Sequence, residues 1–167
     1  MRISWLTVCC LLVLSSCNDS NKTEIYNENN TSVVDGVVYN IDEKPINGLY
    51  KTYFPNGNVK MEVYSQNGKP NGNGKFYNER GKLMYEGVFA DGKPVGTMYQ
   101  YYGNGKVHNE MHYTDGLYDG AQYTYNKDGE LQMEIIFNKG IAVSGYVLVN
   151  GKENEFTAEE LEKFSQK

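Results

Sequence analysis

One stretch of the sequence has residue types and a spacing that could bind a metal ion, His108-x-Glu110-x-His112. An i, i+4 pair of histidines can chelate zinc when it lies on a helix. On a strand the two histidines share a face but stand about 13 Å apart at about 3.3 Å per residue, whereas zinc ligands lie about 2 Å from the metal. Two surface or half-buried histidines are therefore the favoured interpretation, and we expect neither a metal nor another cofactor.

Tyrosine and glutamate recur together, each at a fixed interval of 24 residues. Aligned carboxylates could act as an acid–base pair, and tyrosine rings could stack against sugar rings or lipid. Because every unit carries both residues, a structural role is favoured, in which aromatic cross-strand pairs stabilise a sheet by about 0.2 to 1 kcal/mol each. The two columns are Tyr53, Tyr77, Tyr101 and Tyr125, and Glu62, Glu86, Glu110 and Glu134.

Other catalytic constellations are missing from the sequence. No serine lies in a nucleophile-elbow pattern, no glycine-rich phosphate loop precedes a helix, and no acidic loop has EF-hand spacing. The chain has 16 Lys and Arg against 21 Asp and Glu, for a net charge of -5, and its basic residues do not cluster. We therefore predict a non-enzymatic protein with no nucleic-acid partner.

Three glycine columns keep the same 24-residue interval, so the elements that position the tyrosines and glutamates are copies of one small unit. The glycines that open, turn and close the four units are Gly48, Gly72, Gly96 and Gly120, then Gly57, Gly81, Gly105 and Gly129, then Gly68, Gly92, Gly116 and Gly140. Within a unit, two runs rich in β-branched and aromatic residues flank a pair such as Asn56-Gly57, which predicts a hairpin with a type I′ turn. The fold class predicted is all-β, a single-layer antiparallel meander of tandem 24-residue β-hairpin repeats with a short C-terminal capping helix.

A two-residue turn at Asn56-Gly57 sets the predicted register. Lys51 then faces Glu62, and Tyr53 faces Lys60. Tyr53 and Glu62 become diagonal neighbours on one face, and successive repeats align such pairs into a ladder. The opposite face, expected to be the better buried, carries two apolar columns with Phe89, Tyr113 and Phe137 beside them. Those columns are Val59, Leu83, Val107 and Leu131, and Val63, Met111 and Ile135, with Gly87 as the exception.

The repeats, residues 48–143, have a predicted flanking segment on each side. Residues 33–47 read as a degenerate half-repeat whose strand covers one edge of the sheet. Residues 144–167 read as a last strand and a helix, with Thr157 as N-cap, Glu160 completing a capping box, and Phe156 and Leu161 at the hydrophobic-staple positions. This helix is expected to lie as a lid on the last hairpin.

The start of the chain has the pattern of a secretory leader: Arg2, an apolar run too short to span a bilayer comfortably, and then Leu14-Ser15-Ser16-Cys17. This resembles the bacterial lipobox, which implies a signal peptide over residues 1–16 and a lipid on Cys17 that attaches the protein to a membrane. Residues 17–32, with several asparagines, then read as the lipidated cysteine and a flexible tether spanning about 20 Å. The expected location is the bacterial cell envelope, on the outer membrane in preference to the inner one if the cell has two.

The recurring pattern of glycine, tyrosine, glycine, Val or Leu, glutamate and glycine, repeated from Gly48 to Gly140, resembles the variant MORN repeat. The resemblance implies an elongated, twisted sheet of hairpins that serves in protein–protein contact and sometimes in membrane association. Some relatives are labelled antitoxins of toxin–antitoxin systems. The favoured hypothesis is a lipid-anchored envelope protein that binds an unknown protein partner. The alternatives are an antitoxin or immunity-type protein that neutralises a cognate toxin, and a polysaccharide-binding module.

Overall fold

Short alternating runs of apolar and polar residues, separated by glycine-containing turns, form the strands of this protein. The computed structural model describes residues 24–165, and this part of the chain contains fourteen strands and one helix. The strands are β1 (Ile25–Asn27), β2 (Thr31–Val34), β3 (Val37–Asn40), β4 (Gly48–Tyr53), β5 (Val59–Gln66), β6 (Lys69–Tyr77), β7 (Leu83–Ala90), β8 (Lys93–Tyr101), β9 (Val107–Thr114), β10 (Leu117–Tyr118), β11 (Gly120–Tyr125), β12 (Leu131–Asn138), β13 (Ile141–Val149) and β14 (Lys152–Glu155), and the helix is α1 (Ala158–Glu162).

The main sheet is a meander, in which neighbouring strands follow chain order from β4 to β14. Short β10 pairs with β9 beside the β9–β11 pairing, and all these pairs are antiparallel. The N-terminal edge is the exception, because β1 pairs with β4 in parallel. The prediction of an all-β antiparallel meander of tandem hairpins with a short C-terminal helix is confirmed.

Type I′ turns lie between the units. At the first junction Gln66 pairs with Lys69, which leaves Asn67 and Gly68 as a two-residue loop with φ of +51° and +75°. Positive φ at both central residues defines this turn, whose twist matches that of the flanking strands. The equivalent pairs with the same two positive φ angles are Asp91-Gly92, Asp115-Gly116 and Lys139-Gly140.

The turns inside the units differ from the predicted type I′. Only Gly57 of the Asn56-Gly57 pair has positive φ, and the Phe54 N–H donates to the Asn58 carbonyl over 2.8 Å, closing a three-residue loop. The pairing then shifts by one residue, so Tyr53 faces Val59 and Lys60 is the extra residue of a bulge. The prediction that Tyr53 faces Lys60 is therefore wrong. A three-residue loop with glycine in the left-handed position is a common hairpin connection.

The extra loop residue and the extra bulge residue offset each other further along the hairpin. Lys51 consequently faces Glu62, as predicted. The column that begins with Val59 is nevertheless on the other face from the one predicted, because Val59 lies directly opposite Tyr53 and opposed residues share a face. Each later unit repeats this pairing: Leu83 faces Tyr77, Val107 faces Tyr101, and Leu131 faces Tyr125.

The face opposite the tyrosines is covered at its two ends. Near the N-terminal end, Val38 and Ile46 pack with Tyr50 and Val63 in one buried cluster. Near the C-terminal end, a second cluster consists of Ile135, Phe137, Ala142 and Leu161. Between these clusters the same face is only half-buried, as at Phe89, Met111 and Tyr113. The predicted burial of this face therefore holds at the ends of the sheet and is incomplete in its centre.

The N-terminal flank departs from the expectations drawn from the sequence. The predicted tether fails from residue 25 onward, because β1 pairs with β4 and the Leu49 N–H donates to the Glu24 carbonyl. The predicted half-repeat fails as an edge strand, because β2 and β3 form a separate two-stranded sheet. Instead this hairpin packs on the face of the main sheet, where Val38 and Ile46 supply apolar side chains that the repeats lack.

The C-terminal helix follows the expectation closely. The Thr157 side chain accepts a hydrogen bond from the Glu160 N–H, and the Glu160 carboxylate accepts one from the Thr157 N–H at 2.8 Å, which completes the capping box. Leu161 is buried against Ile135, and Phe156 packs beside it. The helix therefore covers the last hairpins as a lid, because an amphipathic turn buries its apolar side where the array ends.

Candidate functional site

A single line of directly opposed residues crosses ten strands on the face that carries the tyrosine column. Opposed residues of paired strands share a face, so these side chains form one surface strip, which we call the tyrosine–glutamate row. Its members, in spatial order, are Lys51, Glu62, Lys75, Glu86, Tyr99, Glu110, Tyr123, Glu134, Tyr146 and Glu155.

The first two repeats place lysines between the glutamates of the row. Lys51 Nζ lies 3.0 Å from Glu62 Oε2, and Lys75 Nζ lies 4.0 Å from Glu86 Oε2. Both pairs are partly exposed, so each contributes on the order of 1 kcal/mol or less. Their main consequence is that the glutamate carboxylates of these two repeats each have a lysine ammonium group beside them.

The tyrosine column adds hydroxyl donors beside the row. The Tyr77 hydroxyl donates to Glu62 Oε1 over 2.7 Å, and the Tyr101 hydroxyl donates to Glu86 Oε1 over 2.5 Å. The predicted ladder pairs residues of the same repeat, whereas the two observed bonds join Tyr77 and Tyr101 to the glutamate of the preceding repeat. The reason is the pairing of β5 with β6, which brings Tyr77 beside Glu62 from the far side. Tyr53 has no preceding repeat, and its backbone N–H donates to the Glu28 carboxylate.

Burial, followed by the hydrogen bond to glutamate, raises the pKa of Tyr77 and that of Tyr101 to about 12. The pKa of Glu62 is lowered, first by the hydrogen bond from Tyr77 and also by Lys51. Burial and the charge of Glu110 raise the pKa of Tyr125. At neutral pH the tyrosines therefore stay protonated and the glutamate stays charged, which is the state that holds a hydrogen bond and not the state of a proton-transfer pair.

Open depressions lie between successive hairpin ends on this face. One, of about 420 Å³, is lined by Leu83, Tyr101 and Tyr102 among others. The next, of about 430 Å³, is lined by Val107, Glu110 and Tyr125 among others. The two are related by the repeat interval, since Leu83 and Tyr101 correspond to Val107 and Tyr125. The column that starts at Val59 thus supplies the apolar surface of these depressions, between the tyrosines.

The row contains tyrosines that the sequence prediction did not single out. Tyr99 and Tyr123 occupy the position held by Lys51 and Lys75 in the first two repeats. The rings of Tyr99 and Tyr101 lie 6.4 Å apart at 38°, and those of Tyr123 and Tyr125 lie 6.4 Å apart at 37°. The same 24-residue interval would have revealed this column in the sequence, but its place beside the glutamates depends on the strand register.

The glycine columns occupy the turns and irregular points of the array. All twelve of the predicted repeat glycines have positive φ. The closing glycines also join neighbouring repeats: the Gly92 N–H donates to the Pro70 carbonyl over 2.8 Å, and the Gly116 N–H donates to the Pro94 carbonyl over 3.1 Å. These glycines therefore build the scaffold that holds the row in register.

The two histidines of the His-x-Glu-x-His stretch have separate partners. The His108 ring stacks on Tyr102 with centroids 4.2 Å apart. His112 Nδ1 lies 2.5 Å from the Ala121 carbonyl oxygen, and its Nε2 lies 3.6 Å from Glu110 Oε1. Among residues 24–165, no group of three or more His, Cys, Asp or Glu side chains is arranged to hold a metal ion.

The predicted lipid attachment point, Cys17, and the predicted signal peptide lie outside the residues that the structure describes. Within the described range, no helix is long and apolar enough to cross a bilayer.

Comparison with solved structures finds partial likenesses of low similarity. The Glycosylation Associate Protein (Gap123) complex from Streptococcus agalactiae is 18% identical over 59% of this chain and 18% of that chain, with a TM-score of 0.38. The accessory secretory protein 1, 2 and 3 structure from Streptococcus pneumoniae is 16% identical over 75% of this chain and 21% of that one, with a TM-score of 0.38. The chain thus spans only a small part of either protein, and neither likeness assigns a function.

The sequence comparisons identify the repeat. A comparison with curated proteins finds no match. The family model described as MORN repeat variant matches three tandem segments, residues 46–67, 70–91 and 94–115. The fourth unit lies beyond these matches, although its β11–β12 hairpin has the same pairing and the same bulge as the others. Residues 46–115 therefore consist of three MORN-like repeats.

Proposed function

We propose that this protein is a non-enzymatic, lipid-anchored cell-envelope protein that binds another protein through the tyrosine–glutamate row. MORN repeats are in general protein-binding and membrane-binding modules, not enzymes. The observation that carries the proposal is the row itself, a continuous strip across ten strands in which glutamate alternates with lysine in the first two repeats and with tyrosine beyond them. Within residues 24–165, the hydroxyls of Tyr99 and Tyr123 make no hydrogen bond, so both have donors to offer a partner.

The size and composition of the row suit a protein partner. Ten strands about 4.8 Å apart form a strip roughly 45 Å long. Stable protein interfaces bury about 800 Å² on each side, and tyrosine is enriched at their centres because its ring is apolar and its hydroxyl is polar. The opposite face offers less free surface, since the β2–β3 hairpin and α1 cover its ends.

The binding face is tested by comparing tyrosines on the two faces of the sheet. Full-length protein carrying Tyr99→Ser and Tyr123→Ser is expected to lose a partner that cross-links to the unmodified protein in intact cell envelopes. The matched control is Tyr85→Ser, because Tyr85 lies on the opposite face and is 37% exposed. Equal recovery of the partner by all three proteins, or recovery by none, would contradict the proposal. A partner that is toxic only in cells lacking this protein would identify the binding function as that of an antitoxin.

The lipid anchor is tested separately. Replacing Cys17→Ser is expected to move the protein from the membrane fraction to the soluble fraction, because no lipid can then be attached at that position. Metabolic labelling with a fatty-acid analogue should mark the unmodified protein and not the variant. If the variant still sediments with membranes after a salt wash, the attachment lies elsewhere in the chain.

A further inference from the structure

The tyrosine–glutamate row changes its chemistry halfway along. In the first two repeats the position opposite the glutamates is Lys51 or Lys75, whereas in the last two it is Tyr99 or Tyr123. Glu62 and Glu86 therefore have lysine partners, while Glu110 and Glu134 form no ion pair with lysine or arginine in the described range. We call the strip from Tyr99 to Glu155 the C-terminal half of the row.

The groups around Glu110 and Glu134 leave negative charge on this half. His112 is the basic side chain beside Glu110, at 3.6 Å, and the Tyr146 hydroxyl donates to Glu134 over 3.0 Å. Lys106 lies at the rim of the neighbouring depression, where its ammonium donates to the Asp128 carbonyl over 2.8 Å. The row then continues to a further carboxylate, Glu155.

Carboxylates flanked by tyrosine rings favour cationic ligands. An ammonium or guanidinium group gains from the carboxylate and from the negative face of an aromatic ring. The depression lined by Val107, Glu110 and Tyr125 also offers apolar surface for the aliphatic stem of a lysine or arginine. The whole chain carries a net charge of -5, so a second copy of this chain is a poor partner and a basic one is complementary.

The spacing of the row limits the shape of such a partner. Glu110 and Glu134 lie on β9 and β12, with β11 between them, which places the two positions about 10 Å apart at about 4.8 Å per strand. A polyproline II segment rises about 3.1 Å per residue with three residues per turn, so every third side chain lies on one side at about 9.3 Å intervals. An extended chain running across the strands would therefore present every third residue to successive glutamates.

We propose that the C-terminal half of the row binds an extended segment of a partner protein that carries lysine or arginine at every third position. This inference rests on the proposed function and names the chemistry of its partner. The cationic groups sit between tyrosine rings and on Glu110 and Glu134, while the first two repeats take no cation because their own lysines occupy that position.

The test uses full-length protein in detergent and a fluorescent peptide of repeated Lys-Pro-Ala units. Anisotropy is expected to rise with protein concentration, and binding is expected to weaken as salt is added. A peptide of the same composition with its lysines in one block is expected to bind about tenfold more weakly, since it matches fewer carboxylates at once. Equal binding of the two peptides would overturn the proposed three-residue spacing of the cationic side chains, and no binding of either peptide would overturn the inference.

Matched variants locate the site along the row. Glu110→Gln with Glu134→Gln is expected to weaken binding about tenfold, whereas Glu62→Gln with Glu86→Gln is expected to leave it within about twofold. Tyr99→Lys with Tyr123→Lys, which copies the first two repeats, should abolish binding, and circular dichroism checks that each variant remains folded. Equal losses for the two glutamine pairs would overturn the assignment to the C-terminal half. If the envelope partner still depends on Tyr99 and Tyr123 but not on Glu110 and Glu134, this inference fails while the proposed function stands.

Discussion

At the scale of single residues, the hydrogen bonding and burial of a side chain in this array depend on its neighbour in the adjacent repeat. Tyr77 and Tyr101 donate to the glutamates of the repeats before them, whereas Tyr53 has no earlier repeat and is 37% exposed. The same residue type in the same column is thus a half-buried cross-strand donor at Tyr77 and Tyr101 and an exposed ring at Tyr53.

The raised tyrosine pKa values predict a loss of stability at high pH. Tyr77 and Tyr101 titrate at an ordinary pKa of 10.0 when unfolded and at about 12 when folded. A raised folded pKa contributes stability that is fully present below pH 10 and is lost as the pH rises towards 12. Melting temperatures measured from pH 8 to 12 should therefore fall through this window, and Tyr77→Phe should make the fall shallower because one titrating group is gone.

Tyr53→Phe is the control for this measurement, because that hydroxyl makes no hydrogen bond within the described part of the chain. It is expected to leave the alkaline slope unchanged. An identical slope in Tyr77→Phe and the unmodified protein would show that ionisation of Tyr77 does not cause the loss of stability at high pH. At low pH the dependence of stability on pH has the opposite sign. The lowered pKa of Glu62 contributes stability that is present above pH 4.5 and is lost as the pH falls through the folded pKa.

At the scale of elements, two kinds of turn alternate along the meander. The type I′ turns between units connect to the neighbouring repeat, as in the bond from the Gly92 N–H to the Pro70 carbonyl. The three-residue turns inside units also bond to the next turn of their kind, as where the Asn56 side-chain amide donates to the Glu79 carbonyl over 2.8 Å. Their bulges move the Val59 column to the tyrosine face. Both kinds of turn therefore join neighbouring repeats, and the second kind also shapes the candidate binding face.

The surroundings of the two kinds of turn predict unequal losses of stability for a glycine-to-alanine substitution. Gly68 and Gly81 have nearly equal φ, +75° and +74°, but a Cβ at Gly68 would lie 2.5 Å from the Val38 carbonyl oxygen, while a Cβ at Gly81 meets nothing within 4 Å. Gly81→Ala should cost about 1 to 2 kcal/mol of unfolding free energy from backbone strain alone. Gly68→Ala should cost clearly more, because backbone must move. Urea unfolding measures both, and equal costs would mean that the β2–β3 hairpin does not pack tightly on this turn.

At the scale of the whole molecule, the described part of the sheet has a buried cluster near each end and a half-buried centre. Ile46 is fully buried in the N-terminal cluster, and Leu161 is buried in the C-terminal one. Repeats of this kind contact mainly their neighbours, so stability at one end reaches the other only through the intervening strands. The two covers protect the ends of the face opposite the tyrosines.

Truncating one cluster should therefore destabilise one end first. Ile46→Ala and Leu161→Ala should each cost about 2 to 5 kcal/mol, because each leaves a cavity in a buried cluster. Native-state hydrogen exchange is expected to quicken mainly in β4 to β6 for Ile46→Ala, and mainly in β12 and β13 for Leu161→Ala. Uniform acceleration along the whole sheet in both variants would show that the array opens as one cooperative unit.

The sequence by itself determined the architecture of the array. A 24-residue interval without insertions, with glycine before and after each apolar run, is compatible with hairpins of one length laid side by side. The capping box at Thr157 and Glu160 was also readable, because capping uses residues three positions apart in one segment. Such features are local, and local chemistry is enough to decide them.

Only the tertiary structure decided which side chains share a face and what covers them. One extra residue in the loop after Phe54 and one at Lys60 cancel for Glu62 but move Val59 to the tyrosine side, because a shift of one residue exchanges the faces of a strand. The pairing of β1 with β4 and the packing of Ile46 on the sheet use residues outside the repeat, so the 24-residue interval does not predict these contacts. The tyrosine–glutamate row likewise becomes continuous only where separate repeats pair, and the bonds from Tyr77 to Glu62 and from Tyr101 to Glu86 join residues of different units.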